Sequence, residues 1–199
     1  MLNERGIRRV TARRSRGVTM LEVLIAIVIL TIGLLGVAGM QAQMQNAEVE
    51  AYQRAQAIVL LQDMVDRITA NRKNAAAYVT GTPLGTASDI DCSAPANVVE
   101  RDQCEWDGAL RGAAETSGGV QLGAMNGARG CISNPVVTMP RRIIVAVAWQ
   151  GISPTAAPGG TNCGAAAFGA DDRFRRAMVA SIVIGCLQND PATGNCVTP

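Results

Sequence analysis

The chain has 199 residues, room for one domain with a substantial core and too little for several large ones. Aromatics make up 3% of it against 48% hydrophobic residues, so its apolar content is mostly aliphatic. There is no histidine, which excludes Ser-His-Asp and Cys-His catalysis and removes the commonest transition-metal ligand.

The net charge of +2 hides an asymmetry: Arg5, Arg8, Arg9, Arg13, Arg14 and Arg16 face only Glu4 within residues 1–17. Beyond them 12 basic side chains meet 15 acidic ones, so the body carries no basic excess suited to nucleic acid. This basic leader runs directly into an apolar segment. From Val23 to Met40 no residue is charged, and such a helix spans about 27 Å, close to the hydrocarbon core of a bilayer. Arginines precede it and Glu48 and Glu50 follow, so the positive-inside rule places the N-terminus in the cytoplasm and the rest outside. A secretory signal would have a shorter apolar core ending in a small-x-small site, and no A-x-A site follows here.

The helical pattern continues past the apolar segment. Met40, Met44, Ala47, Ala51, Ala55, Ile58, Leu61, Val65 and Ile68 recur every three or four residues, a single stripe that needs a partner surface. No proline occurs before Pro83, so the periodicity predicts one helix of roughly 60 residues ending near Tyr78. At Gly81-Thr82-Pro83-Leu84-Gly85 the composition turns to that of irregular chain, and a head begins. Asn97 and Glu100 form a reciprocal cap pattern that predicts a short helix over about 97–111, with Val99, Trp106 and Leu110 on one face and Gly112 ending it.

Strands follow. Residues 143–149 and 178–184 alternate with period two and read as central strands of a sheet, with a weaker strand around Val120–Leu122. Between the two long strands, Gly151–Gly169 is rich in Gly, Pro, Ala and Thr and reads as an exposed loop. The fold class is α+β: one very long N-terminal helix, membrane-spanning in its first half, on a small antiparallel sheet. The expected divisions are a basic leader over 1–17, a membrane half-helix over 18–40, a periplasmic half-helix over 41–80 and a head over 81–199.

All six cysteines lie downstream of the apolar segment, and the even count points to disulfides in an oxidising compartment. Cys92 with Cys104 is the first expected pair, because the intervening segment is short and ends on the small helix. Cys186 with Cys196 and Cys131 with Cys163 complete the set. No metal site and no cofactor are expected, and neither a carboxylate pair nor a glycine-rich phosphate loop supports a membrane-tethered enzyme.

The run Arg16-Gly17-Val18-Thr19-Met20-Leu21-Glu22-Val23-Leu24 resembles the class III signal of type IV pilins and of type II secretion pseudopilins. The resemblance implies cleavage by prepilin peptidase after Gly17 and methylation of the new amine on Val18, where most members carry phenylalanine. It also implies that Glu22 pairs with the N-terminal amine of a neighbouring subunit during assembly. Gly33, Gly36 and Gly39, three residues apart, would loosen the helix or let it pack closely among others.

Thr31 to Gln41 and Asp63 to Arg72 resemble the PilV subgroup of minor pilins, as do Arg141–Gly151 and Arg175–Arg176 less specifically. That resemblance implies a structural protein that enters type IV pili and primes their assembly near the tip. Its partners would be prepilin peptidase, the major and other minor pilins, the inner-membrane assembly platform and, before assembly, the lipid bilayer. A minor pseudopilin of a type II secretion system is the alternative within the class.

Overall fold

The computed structural model describes residues 17–86, 92–112, 116–117, 120–121, 125–138, 140–193 and 196–198. It divides into two compact units, Met1–Gln45 and Asn46–Pro199. Helix α1 (Met20–Ala70) supplies the whole regular structure of the first and the leading element of the second.

In the first unit α1 is apolar on every side and every described residue is exposed. Leu24, Ile29, Leu34 and Leu35 are among many large apolar side chains left facing outward. A soluble helix shows one apolar stripe, whereas one that is apolar all round belongs in a protein core or in lipid. Among the described residues α1 is the one helix long and apolar enough to cross a membrane, and its most apolar stretch buries nothing in this chain.

In the second unit α1 becomes one-sided. Gln53, Ala57, Leu61, Met64 and Ile68 are buried, at steps of three and four residues that keep them on one face. This differs from the expected stripe, which shares only Leu61 and Ile68 with the buried set. Val65 is half-buried, while Met40, Met44, Ala47, Ala51, Ala55 and Ile58 are exposed. Both rows recur at helical spacing, and periodicity alone cannot say which of two adjacent rows meets the sheet.

The α-helix also ends sooner than expected. Asn71 leaves the helical region (φ −109°, ψ 40°), and a 3-10 helix over Arg72–Tyr78 takes over, with a further kink at Asn74. The cause is local polar competition. Asn74 Nδ2 donates to Asn71 Oδ1 at 2.9 Å and Asn71 Nδ2 to the Tyr78 hydroxyl at 3.1 Å, offering the chain an alternative to α-helical hydrogen bonds.

Helix α2 (Val98–Leu110) begins as its sequence predicts. Asn97 Oδ1 accepts from the Glu100 N–H at 3.0 Å, and the Glu100 carboxylate accepts from the Ala96 N–H and the Asn97 side-chain amide. Val99, Trp106 and Leu110 are buried on its inner face, and Gly112 follows at φ +81°. Trp106 donates its indole N–H to the Leu60 carbonyl of α1 at 2.9 Å, which fixes one helix against the other.

The main sheet is antiparallel in the order β3 (Arg129–Val136), β4 (Arg141–Gln150), β5 (Arg175–Ile184). Ile143, Val145, Val147 and Trp149 of β4 join the core formed with α1 and α2, while Ala146 and Ala148 face Cys163 and Phe168 on the other side. Strand β4 is central, as expected. Strand β5 is not: among the described residues it pairs with β4 alone, through a continuous ten-residue register, and Val179 and Val183 stay exposed. The place on the far side of β4 belongs to β3, whose sequence hid it. Its alternation is broken by Asn134-Pro135 and by a register shift between Ser133 and Val136.

Two small ribbons complete the described elements: β1 (Thr116–Ser117) with β2 (Val120–Gln121), and β6 (Gln188–Asn189) with β7 (Cys196–Thr198). The expected weak strand is β2, and Leu122 lies outside the described residues. The segment 151–169 has neither helix nor strand, yet it is not wholly exposed, because Cys163 and Phe168 are buried against the outer face of the sheet.

Gly130 sits where β3 passes beneath α2. A Cβ placed there would lie 2.3 and 2.4 Å from ring carbons of Trp106 and 2.6 Å from a methyl of Leu110. Gly130→Ala should therefore destabilise the head by about 1–3 kcal/mol, the range for overpacking a filled core. Urea unfolding of the full chain in detergent, followed by tryptophan fluorescence, measures it.

Candidate processing and assembly site

Gly17, Val18 and Thr19 precede α1 without regular structure, and all three are exposed. Nothing lies within 4 Å of a Cβ built on Gly17. The helix starts at Met20 because Thr19 caps it. The Glu22 N–H donates to Thr19 Oγ1 at 3.3 Å and to the Thr19 carbonyl at 3.1 Å, and the Val23 N–H reaches the same carbonyl at 3.3 Å. Thr19-Met20-Leu21-Glu22 thus has the spacing of a capping box, a local signal present in the sequence itself.

Glu22 is the sole charged residue between Gly17 and Ala47. It lies in the first turn, where the partial positive charge of the helix N-terminus favours a carboxylate. Its nearest neighbours in sequence are Met20, Leu21, Val23 and Leu24, all exposed, and its carboxylate makes no ion pair with another described residue. Further along, Thr31 returns its hydroxyl to the Val28 carbonyl at 2.8 Å and so adds no open polar group to the apolar run. Gly33, Gly36 and Gly39 lie inside the helix with open space where a Cβ would stand, so nothing in this chain requires glycine there.

The cysteines form a separate constellation in the second unit. The structure pairs Cys92 with Cys104, Cys131 with Cys163 and Cys186 with Cys196, at Cα separations of 5.5, 5.8 and 5.6 Å. They tie down different parts of the head. The first fixes the approach to α2, the second clamps the 151–169 segment to β3, and the third closes the chain around β6 and β7.

Two polar anchors were not evident in the sequence. Arg67 pairs with Asp63, four residues earlier, at 3.0 Å, and it also reaches Asp102 at 3.2 Å and Glu105 at 2.6 Å, joining α1 to α2. The fully buried Tyr78 donates its hydroxyl to the other oxygen of Asp102. Arg175, also buried, donates to the carbonyls of Thr161, Cys163 and Pro158 and pairs with Asp172 at 3.1 Å, which orders the long segment from within. Only the four-residue spacing of Asp63 and Arg67 hinted at the first anchor, and nothing local signalled the second.

The chain thus combines a long apolar helix that has one carboxylate in its first turn with a disulfide-bonded α+β unit. The chain matches the family model described as type IV pilin Tt1218 over residues 39–109, and the prokaryotic N-terminal methylation motif over residues 12–38. No curated protein and no solved structure matches it. Together the two matches cover residues 12–109, and with this fold they support a type IV pilin carrying a prepilin-type N-terminal signal.

The Tyr78–Asp102 contact has a measurable signature. Burial first, and then the Asp102 carboxylate, push the Tyr78 hydroxyl up to about 12. The unfolded chain releases this proton near pH 10, so the contribution of neutral Tyr78 is complete below about pH 10 and is lost as pH rises towards 12. The urea midpoint should fall across that interval, and Tyr78→Phe should remove this step while costing about 1 kcal/mol at neutral pH. At pH 7, Arg67→Ala should cost about 1.5–3 kcal/mol, the worth of a hydrogen bond to a charged group, because Asp102 loses its nearer cation and keeps only Arg101 at 4.0 Å.

Proposed function

We propose that this type IV pilin is a minor pilin of the PilV type, processed by prepilin peptidase between Gly17 and Val18 and methylated on Val18. The observation that carries the reading is the lone Glu22 carboxylate in a helix that is otherwise uncharged from Gly17 to Ala47 and whose most apolar stretch has no buried residue among the described ones. Such a helix needs an apolar host, first the inner membrane and then the packed helices of a filament. The head, with its disulfides, resides in the periplasm and the N-terminus in the cytoplasm, in keeping with the arginines ahead of the apolar segment.

A carboxylate carried into a bilayer costs about 2.5–3.5 kcal/mol on insertion scales. Pairing with the Val18 amine of a neighbouring subunit neutralises both groups and sets the axial register between subunits. Gly33, Gly36 and Gly39 let the helix pack closely, or yield, as it leaves the bilayer. In this reading the leader is residues 1–17, the assembly segment 18–40, and the subunit primes filament growth near the tip with the major and other minor pilins on the inner-membrane platform. The match to a type IV pilin model over residues 39–109 supports the pilus over the secretion pseudopilus.

Glu22→Ala should leave insertion and cleavage intact, because it makes the helix more apolar, while reducing the subunit's entry into pili and the number of pili per cell. Comparing its abundance in membranes with that in sheared pili measures the separation. Wild-type incorporation with normal piliation would exclude the charge pair and leave Glu22 as a side chain that reaches the lipid headgroups.

A further inference from the structure

We infer that Thr19 is a positioning residue for the cut, an inference that rests on the proposed cleavage between Gly17 and Val18. Its hydroxyl accepts from the Glu22 N–H and its carbonyl from the Glu22 and Val23 N–H groups, the bonding of a residue that caps a helix beginning at Met20. The scissile bond is thereby left two residues upstream in exposed, non-helical chain. A protease must reach the backbone of the bond it cuts, and a helix hides that backbone within its own hydrogen bonds. The cap presents the bond and fixes its distance from Glu22, the other end of the same Thr19-Met20-Leu21-Glu22 motif.

The stop matters because Ser15, four residues earlier, is the next side chain of a capping type. A helix begun there would wind the Gly17–Val18 bond into its first turn. The same stop serves the product. Cleavage leaves an ammonium on Val18, and a positive charge inside the first turn opposes the positive end of the helix dipole. With Thr19 as the cap, that amine stands one residue outside the helix, open to methylation.

The test is pulse-labelled conversion of the full-length precursor to mature protein in cells expressing the peptidase, with the mature N-terminus read by mass spectrometry. Thr19→Ala and Thr19→Val, which lack the acceptor, should slow conversion about fivefold, the equilibrium worth of one helix cap. Thr19→Ser and Thr19→Asn should convert at close to the wild-type rate. Equal membrane abundance of every precursor separates slow cutting from failed insertion.

Wild-type rates for the alanine and valine variants, with a wild-type product beginning at Val18, would overturn the role of Thr19 and leave the cleavage reading standing. Slow conversion of the serine and asparagine variants would overturn it too, since capping would then not be what the enzyme needs. A wild-type product beginning elsewhere would instead remove the cleavage site on which the inference rests.

Discussion

One continuous ladder of backbone hydrogen bonds from Met20 to Ala70 has to satisfy two environments. Upstream the ladder is what makes an apolar segment tolerable in lipid, because no water is available there to satisfy a peptide group. Downstream it is a rigid rail whose one buried face receives the sheet and α2. The side chains change from apolar on every side to apolar on one while the backbone does not change. The rest of the head is arranged to use that rail.

A head with few aromatics gets its order from a small number of well-placed contacts. Trp106 and Tyr78 are both fully buried, and each is held by polar bonds at its tip as well as by packing. Arg67 and Arg175 play a parallel part with charge, each gathering groups from distant parts of the chain. On the chain-entropy model, closing the loop between Cys92 and Cys104 contributes roughly 3 kcal/mol, a sizeable share of the 5–15 kcal/mol typical of a domain. Such local fastenings add to an apolar core that is mostly aliphatic.

What could be read in the sequence follows the range of the physics involved. The long helix, the Asn97–Glu100 cap and strand β4 are governed by neighbours within a few residues, and their patterns are intact on the page. The choice between two adjacent rows of α1, the edge position of β5 and the existence of β3 depend on which distant surface arrives. Gly130 illustrates the difference: in sequence it interrupts a strand, whereas in the fold it is the clearance that lets Trp106 lie across β3. The candidate site divides in the same way. Gly17, Val18 and Glu22 form a local motif, the Thr19 cap is local too, and the wider reach of Arg67 and Arg175 leaves no sequence signal because their partners lie far along the chain.

Magnitudes decide between two accounts of Glu22. As part of a capping box at the positive end of a helix dipole, a first-turn carboxylate gains about 0.3–1 kcal/mol. Holding the same charge deep in hydrocarbon costs about 2.5–3.5 kcal/mol, several times more. A helix-start role alone therefore does not explain a glutamate at this position if the segment is carried into lipid, since an uncharged capping partner such as glutamine would avoid most of the cost. A cation meeting the carboxylate would recover the deficit, and none of the described residues of this chain pairs with it. Under the proposed pairing, the amine that processing would create on a neighbouring Val18 supplies a charge of the right sign. A residue whose cost is met by another subunit would then act as a selector, favouring the assembled state over the isolated one.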